Sequence, residues 1–301
     1  MKRWNQTGWL AGIVLSLSAM ALAVTPEEID KMEKAMPAKA TATPKQPRKM
    51  LVFSLCKGFK HSCIPYWEKS LEIMGKKTGA FTMDISTDMA VFTSETLKQY
   101  DAICFNNTTT LEPTPEQSKA ILEFIQNGKA IVGIHAGADN FNKNPELQEI
   151  IGNKFTGHPW TDGAGEWACK IDDPTHPLMK AFGGKGFRVM DEIYRTEAPL
   201  YSRSKMRVLM SLDMSDEKNK SVKDLKPSDA DTGLSWIKTV GKGRMFYGSL
   251  GHNNGITWNP MVLQHYLDGI QWAMGDIQAD ATPIPAPKAA AGDAKATGTS
   301  K

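Results

Sequence analysis

Four histidines of this 301-residue chain lie in Gly/Pro-rich loops after expected strands or helices. Imidazole is the side chain best suited both to proton transfer and to holding a divalent metal. His135 is the clearest case. It ends the β-branched run Ile131–Ile134 and is followed by the small residues Ala136, Gly137 and Ala138. So short an apolar run predicts a buried parallel strand, and the small residues predict a tight exit from it. Leu51–Cys56 leads in the same way into Lys57-Gly-Phe-Lys-His61, and Met245–Leu250 into Gly251-His252-Asn253. In an open α/β sheet, ligands bind beyond the carboxyl ends of the strands. His158, in Gly157-His-Pro159, is the fourth candidate. His176, before Pro177, reads as a turn residue and His265 as a structural residue of the last helix.

Neutral imidazoles with a carboxylate are the usual donor set for zinc or a similar ion. Asp191-Glu192 is the best carboxylate candidate. Two adjacent acids on a strand point to opposite faces, so one must turn inward or sit at a bend. Salt bridges to Arg188, Arg195 or Arg244 are the structural alternative. No HExxH-type spacing occurs. The turn at Gly133-Ile-His-Ala-Gly137 resembles the elbow that presents a nucleophile, with His where Ser or Cys would stand, so acyl-enzyme chemistry has no evident carrier. The glycines match neither a phosphate loop nor a dinucleotide fingerprint, so no nucleotide cofactor is expected. Trp160, Trp258, Phe59, Phe141 and Tyr194 lie close in sequence to these loops and could stack on sugar rings. Asn106, Asn107, Asn140 and Asn253 could bind hydroxyls. Rim packing is the plainer reading of the aromatics.

The elements that would position these residues are strand–helix repeats in the first half. Strands are expected at Leu51–Cys56, Phe81–Ser86, Ala102–Asn106 and Ala130–Ile134. Helices are expected at Ser62–Lys76 with Ser62 as cap, at Ser94–Gln99, after the capping box Thr114-Pro-Glu-Gln117, and from Asn144-Pro145 to Gly152. This alternation implies a parallel sheet with right-handed crossovers. The second half is less regular. Strands are expected at Glu166–Ile171, Phe187–Thr196 and Arg207–Leu212, and a hairpin from Gly233–Val240 and Arg244–Leu250. A last helix runs from Asn259-Pro260 to Met274.

Lys2 and Arg3 precede the apolar run Trp9–Leu22, and Ala21-Leu22-Ala23 is a small-residue cleavage pattern. Residues 1–23 therefore read as a secretory leader, too short for a stable span, and the protein as secreted or periplasmic. Removing the two cations Lys2 and Arg3 takes the net charge from +3 to +1, which leaves no basic excess to attract nucleic acid. Residues 24–48, rich in Ala, Pro, Thr and Lys, read as a flexible linker, 49–278 as the folded domain and 279–301 as a disordered tail. Cys56, Cys63, Cys104 and Cys169 fit no metal or redox spacing; a Cys56–Cys104 bridge is conceivable, and buried small hydrophobes are the plainer reading.

Several of these stretches together resemble the trehalose-utilisation (ThuA-like) family of the class I glutamine amidotransferase-like superfamily. They are Gly58-Phe-Lys-His61, Gly133-Ile-His-Ala136, Gly157-His-Pro159, Asp173-Pro-Thr-His-Pro177, Asp191-Glu-Ile-Tyr194, Gly241–His252 and Gly269-Ile-Gln-Trp-Ala273. The resemblance runs from Lys49 to about Ile277. It implies a flavodoxin-like parallel sheet flanked by helices, with added antiparallel strands in the second half. It also implies no glutamine amidotransferase activity, because the catalytic Cys is replaced.

The family is linked to trehalose and related disaccharides, including 3-keto derivatives. By motif position the site residues carried over are His61, His135, His158, Glu192 and His252; Asn253 stands where an acidic residue is expected. The implied metal ligands are His61, His135 and His158, and the implied catalytic residues Glu192, His252 and His135. Asn106, Trp160, Tyr194 and Asn253 would bind a small carbohydrate. In a 3-keto glycoside the ketone acidifies the C2 proton and the C1 oxygen is a β leaving group, so a base at C2 with an electrophile at the ketone permits elimination and then hydration. A non-enzymatic periplasmic sugar-binding protein, or an interaction module, is the alternative reading of the same residues.

Overall fold

The computed structural model describes residues 24–285. The expected leader and the tail from residue 286 on lie outside the described residues.

In chain order the regular elements are α1 (Pro26–Ala35), β1 (Lys49–Phe53), α2 (Ile64–Thr78), β2 (Thr82–Ser86), α3 (Ser94–Leu97), β3 (Ala102–Asn106), α4 (Pro115–Gln126), β4 (Ala130–Ile134) and α5 (Pro145–Ile151). There follow β5 (Trp167–Ile171), β6 (Phe187–Val189), β7 (Arg207–Leu212), α6 (Glu217–Lys220), β8 (Gly233–Val240), β9 (Gly243–Gly248) and α7 (Pro260–Ala273). They form one nine-stranded sheet in the order β2-β1-β3-β4-β9-β8-β7-β5-β6. The five strands from β2 to β9 run parallel, and the four beyond them alternate in direction. Every residue of β3 and β4 is buried, as expected of strands covered on both faces.

Local chemistry explains where the helices begin and end. Thr114 and Gln117 form the expected capping box of α4, and Asn144 and Asn259 accept backbone N–H groups at the starts of α5 and α7. Gly79 and Gly152 close α2 and α5 in the left-handed conformation. Ser62 does not cap α2: Cys63 takes the cap position and no side chain bonds there. Two layers of apolar side chains pack on the sheet. One gathers α2 and α7 around Trp67, Tyr266 and Leu267; the other gathers α4 and α5 around Phe105, Ile121 and Trp236. No described helix is long and apolar enough to cross a membrane.

Three expectations need correction. Residues 24–48 are not a flexible linker. Thr25 and Glu28 form a capping box on α1, Met32 and Met36 are buried, and Glu28 accepts a hydrogen bond from Tyr66 at 3.0 Å. The stretch after α1 is tied to α7 by Thr41–Asp268 and Thr41–Gln271 bonds, and Arg48 pairs with Asp276. Val24, Ile29, Ala35, Ala40 and Ala42 pack against the same core beside the two methionines, so apolar and polar contacts both anchor the segment. The first part of the expected tail is docked too: Asp280 pairs with Arg207, and its carbonyl bonds His176 Nε2. Finally, strand Phe187–Thr196 stops at Val189, and the chain then runs irregularly through Asp191 and Glu192. All four cysteines are free thiols, so Cys56 and Cys104 are not bridged.

Candidate functional site

β1, β4 and β9 are parallel, and their carboxyl ends open toward one edge of the sheet. His135 follows β4 directly, at a φ of 44°, in the left-handed region that non-glycine residues seldom occupy. Tyr247 of β9 fixes this elbow by donating to the His135 carbonyl at 2.7 Å. His61 arrives through the loop after β1, and His252 through the loop after β9. Their rings pack edge to face: centroids are 5.2 Å apart for His61–His135 and for His61–His252, and 5.3 Å for His135–His252.

Glu192 enters from the irregular segment after β6. Its Oε1 lies 3.6 Å from His135 Nε2 and 3.4 Å from His252 Nδ1, and its Oε2 lies 3.1 Å from His158 Nδ1. One donor atom from each of His61, His135, Glu192 and His252 falls within 4.8 Å of the others. The expected metal set of His61, His135 and His158 is therefore rearranged. His252 joins the cluster, while His158 stands outside it on the far oxygen of Glu192, 42% exposed. The alternative of salt bridges does not occur: Arg188 pairs with Asp216, Arg195 with Asp229, and Arg244 with main-chain carbonyls.

Three imidazole nitrogens of the cluster, His61 Nδ1, His135 Nε2 and His252 Nδ1, are buried with no hydrogen-bond partner. Leaving a buried polar atom unpaired is costly, and here two of the three, His135 Nε2 and His252 Nδ1, face the same oxygen of Glu192. His135 Nδ1 donates to the Ser249 carbonyl at 2.9 Å, which leaves Nε2 as the lone-pair nitrogen. Burial, reinforced by His135 and His252, pushes the His61 pKa down to about 3. Burial also lowers His252. Burial opposes ionisation of Glu192, but the neighbouring His135 and His252 prevail and hold it below the usual carboxylate range. Imidazoles beside a carboxylate are a donor set that could hold a metal ion.

Asp191 is the residue whose role the sequence did not define. It is fully buried, and its two oxygens accept from the backbone N–H groups of Gly251 and Asn253 at 2.6 Å each, on either side of His252. Burial pushes its pKa up to about 7 against those bonds. Trp67 adds a bond to the Gly251 carbonyl at 2.9 Å. A Cβ at Gly251 would lie 2.9 Å from Ile134 and 3.1 Å from the Trp67 indole nitrogen, so the loop comes this close only as glycine.

The expected carbohydrate-binding residues divide. Tyr194 stands in the site, its ring 4.4 Å from that of His135 and its hydroxyl 3.4 Å from His61 Nε2. Trp160 is 0% exposed and bonds the Asn219 carbonyl, so it has no free face. Asn106 is buried and spends its amide on Ser54 and the Ile64 carbonyl. Asn140 bonds Leu111 and Thr108, and Asn253 caps Gly255 and reaches Asp162. Trp258 packs against Tyr66 and Lys31, and Phe141 against Phe105 in the core. Sequence reasoning missed Phe155, which lies against His158 and Tyr194 with centroids 5.7 and 4.7 Å apart. Its only signal was its place just before Gly157-His158. His265 and His176 are structural: the first bonds Ser235 and the Leu178 carbonyl, the second caps Leu178.

Comparison with solved structures gives the same architecture. A ThuA-like protein from Bacteroides uniformis is 22% identical with a TM-score of 0.62, covering 77% of this chain and 93% of its own. A second, from Parabacteroides merdae, is 20% identical with a TM-score of 0.56, covering 76% and 91%. A comparison with curated proteins finds no match. The family described as ThuA, trehalose utilisation, matches residues 49–273, the whole of the sheet and the helices from α2 to α7. The chain belongs to the ThuA family of trehalose utilisation.

Proposed function

We propose that the protein is an exported enzyme of carbohydrate utilisation. Its His61–His135–His252–Glu192 cluster holds a divalent ion such as zinc, and its substrate is a disaccharide or the 3-keto derivative of one. The observation that carries this reading is the gathering of one donor atom from each of His61, His135, His252 and Glu192 within 4.8 Å at the carboxyl edge of the sheet, with a nitrogen of each imidazole buried and unpartnered. When bound, such an ion supplies Lewis-acid polarisation of a substrate oxygen.

The chain's own residues supply the proton chemistry. His158 keeps its Nδ1 against Glu192 and has Nε2 for proton transfer at the more exposed side of the site. His158 Nε2 takes the C2 proton of the keto sugar. The C2–H electron pair becomes the C1–C2 double bond, and the C1–O bond breaks. The leaving oxygen takes the proton back from His158, and water adds across the double bond to give the free keto sugar. Glu192 orients the imidazole and stabilises its charged form. Tyr194 closes the inner wall and excludes water from His135.

Incubating the zinc-loaded protein with 3-keto-trehalose and with trehalose, and following both by mass, tests the reaction. Turnover of the keto sugar by the wild type and its loss, by about 100-fold or more, in His158→Gln is the expected result. Binding without turnover would instead mark a non-enzymatic sugar-binding protein. Export is part of the proposal: the Thr25–Glu28 capping box starts just after Ala23, where the leader would be cut. N-terminal sequencing of the mature protein should begin near Val24, and a retained Met1 would contradict export.

A further inference from the structure

Two aromatic rings stand exposed beside the site, Phe59 at 68% and Phe155 at 38%. Among the described residues, the exposed large hydrophobics are Phe59, Ile85, Phe155, Met190, Met261 and Ile284, and the only aromatics of this group are these two. Each touches a ring of the site. Phe59 packs edge-on against His61 with centroids 4.8 Å apart, and Phe155 packs on His158 and Tyr194. Single exposed apolar residues need no explanation. Two aromatics at the same site, each reached through a different histidine, do.

The Phe59 loop is not loose. Thr109 donates to the Phe59 carbonyl at 2.8 Å, and a Cβ at Gly58 would lie 2.4 Å from the Thr110 hydroxyl oxygen. The ring is thus held out in water by a backbone pinned beneath it.

We infer that Phe59 and Phe155 are the stacking platforms for the sugar rings of the substrate, one beside His61 and the other beside His158. This rests on the carbohydrate reading above and goes beyond it by assigning the recognition surface. A pyranose offers a C–H face that packs on an aromatic ring and a rim of hydroxyls that needs polar partners. The partly exposed His158 and His252, both against the buried Glu192, can meet those hydroxyls. A second copy of the chain would want a continuous apolar face, which two rings parted by imidazoles do not make. Of the rings the sequence offers for stacking, Trp160, Trp258 and Phe141 are engaged elsewhere, and Phe59 stays exposed.

Phe59→Ala and Phe155→Ala test this directly, with Phe→Tyr at each position as the conservative control. On 3-keto-trehalose each Ala variant should raise KM by about tenfold with kcat within about threefold, and Tyr should restore KM. Zinc content should match the wild type throughout. An unchanged KM in both Ala variants, with the wild type active, overturns the platforms and leaves the proposed function standing. A wild type that holds zinc but neither binds nor converts either sugar overturns both. A wild-type dimer that either Ala variant dissolves would assign the rings to an interface between copies and overturn the platforms.

Discussion

At the scale of single residues, the site depends on a carboxylate that does not face it. Asp191 spends both oxygens on the N–H groups either side of His252. Asp191→Asn keeps the size but turns one acceptor into an NH2 group against a backbone N–H, so one bond is lost and two donors oppose each other. Zinc affinity should fall by about 10- to 100-fold, as read by competition with a chelator, while the melting transition stays cooperative. Unchanged affinity would mean that the His252 loop holds its place without Asp191. The sequence made the histidines legible, because each follows an apolar run or a Gly-rich turn. It made the acid pair legible but not its division of labour, since Asp191 binds backbone and no side-chain pattern reports such a partner. Phe155 was hidden for a related reason: nothing in Lys154-Phe-Thr156 says that the ring stays out of the core.

At the scale of elements, the parallel half was readable in the order and type of its elements, with β3 and β4 at their expected bounds and β1 at Lys49–Phe53, earlier than the expected Leu51–Cys56. Buried strands must be short apolar runs, and helices that start at Thr114, Asn144 and Asn259 announce themselves by their caps. The elements misread were those held in part by polar contacts. α1 looked too polar to pack, yet Met32 is fully buried and the segment behind it is bonded to α7 through Asp268 and Gln271 and to Asp276 just beyond the helix. Met32→Ala should therefore lower the unfolding free energy by about 2–4 kcal/mol in chemical denaturation. A free tether would show no change. The segment after β6 reads as continuous strand because Val189-Met-Asp-Glu-Ile-Tyr194 is a mixed apolar run whose adjacent acids could point to opposite faces. The chain leaves the ladder there, which lets the adjacent Asp191 and Glu192 both be buried, with one turned to the His252 loop and the other to the histidines.

At the scale of the whole molecule, the architecture explains why residues far apart in sequence meet: β1, β4 and β9 lie near one another and run in one direction, so their following loops share an edge. The fold also carries a pH dependence away from that edge. His265 is enclosed by Phe182, Phe246, Tyr266, Ser235 and the Leu178 carbonyl, and the charge of His176 also acts on it. Burial pulls its pKa from 6.5 to about 4 despite the Leu178 bond. The unfolded chain then binds more protons than the fold between these values. The stability that His265 contributes is full above about pH 6.5 and is lost as pH falls toward 4, by on the order of 3 kcal/mol. Denaturation curves of His265→Gln should show a shallower slope over that range; an equal slope would contradict this assignment. The central claim is the metal centre, and metal analysis of the purified, zinc-loaded and desalted chain tests it most directly. The account predicts about one zinc per chain in the wild type. It predicts none in His135→Asn, whose Asn tolerates the left-handed backbone but removes the imidazole. A wild type that retains no zinc or other divalent ion, or a His135→Asn protein that retains it fully, would contradict the account.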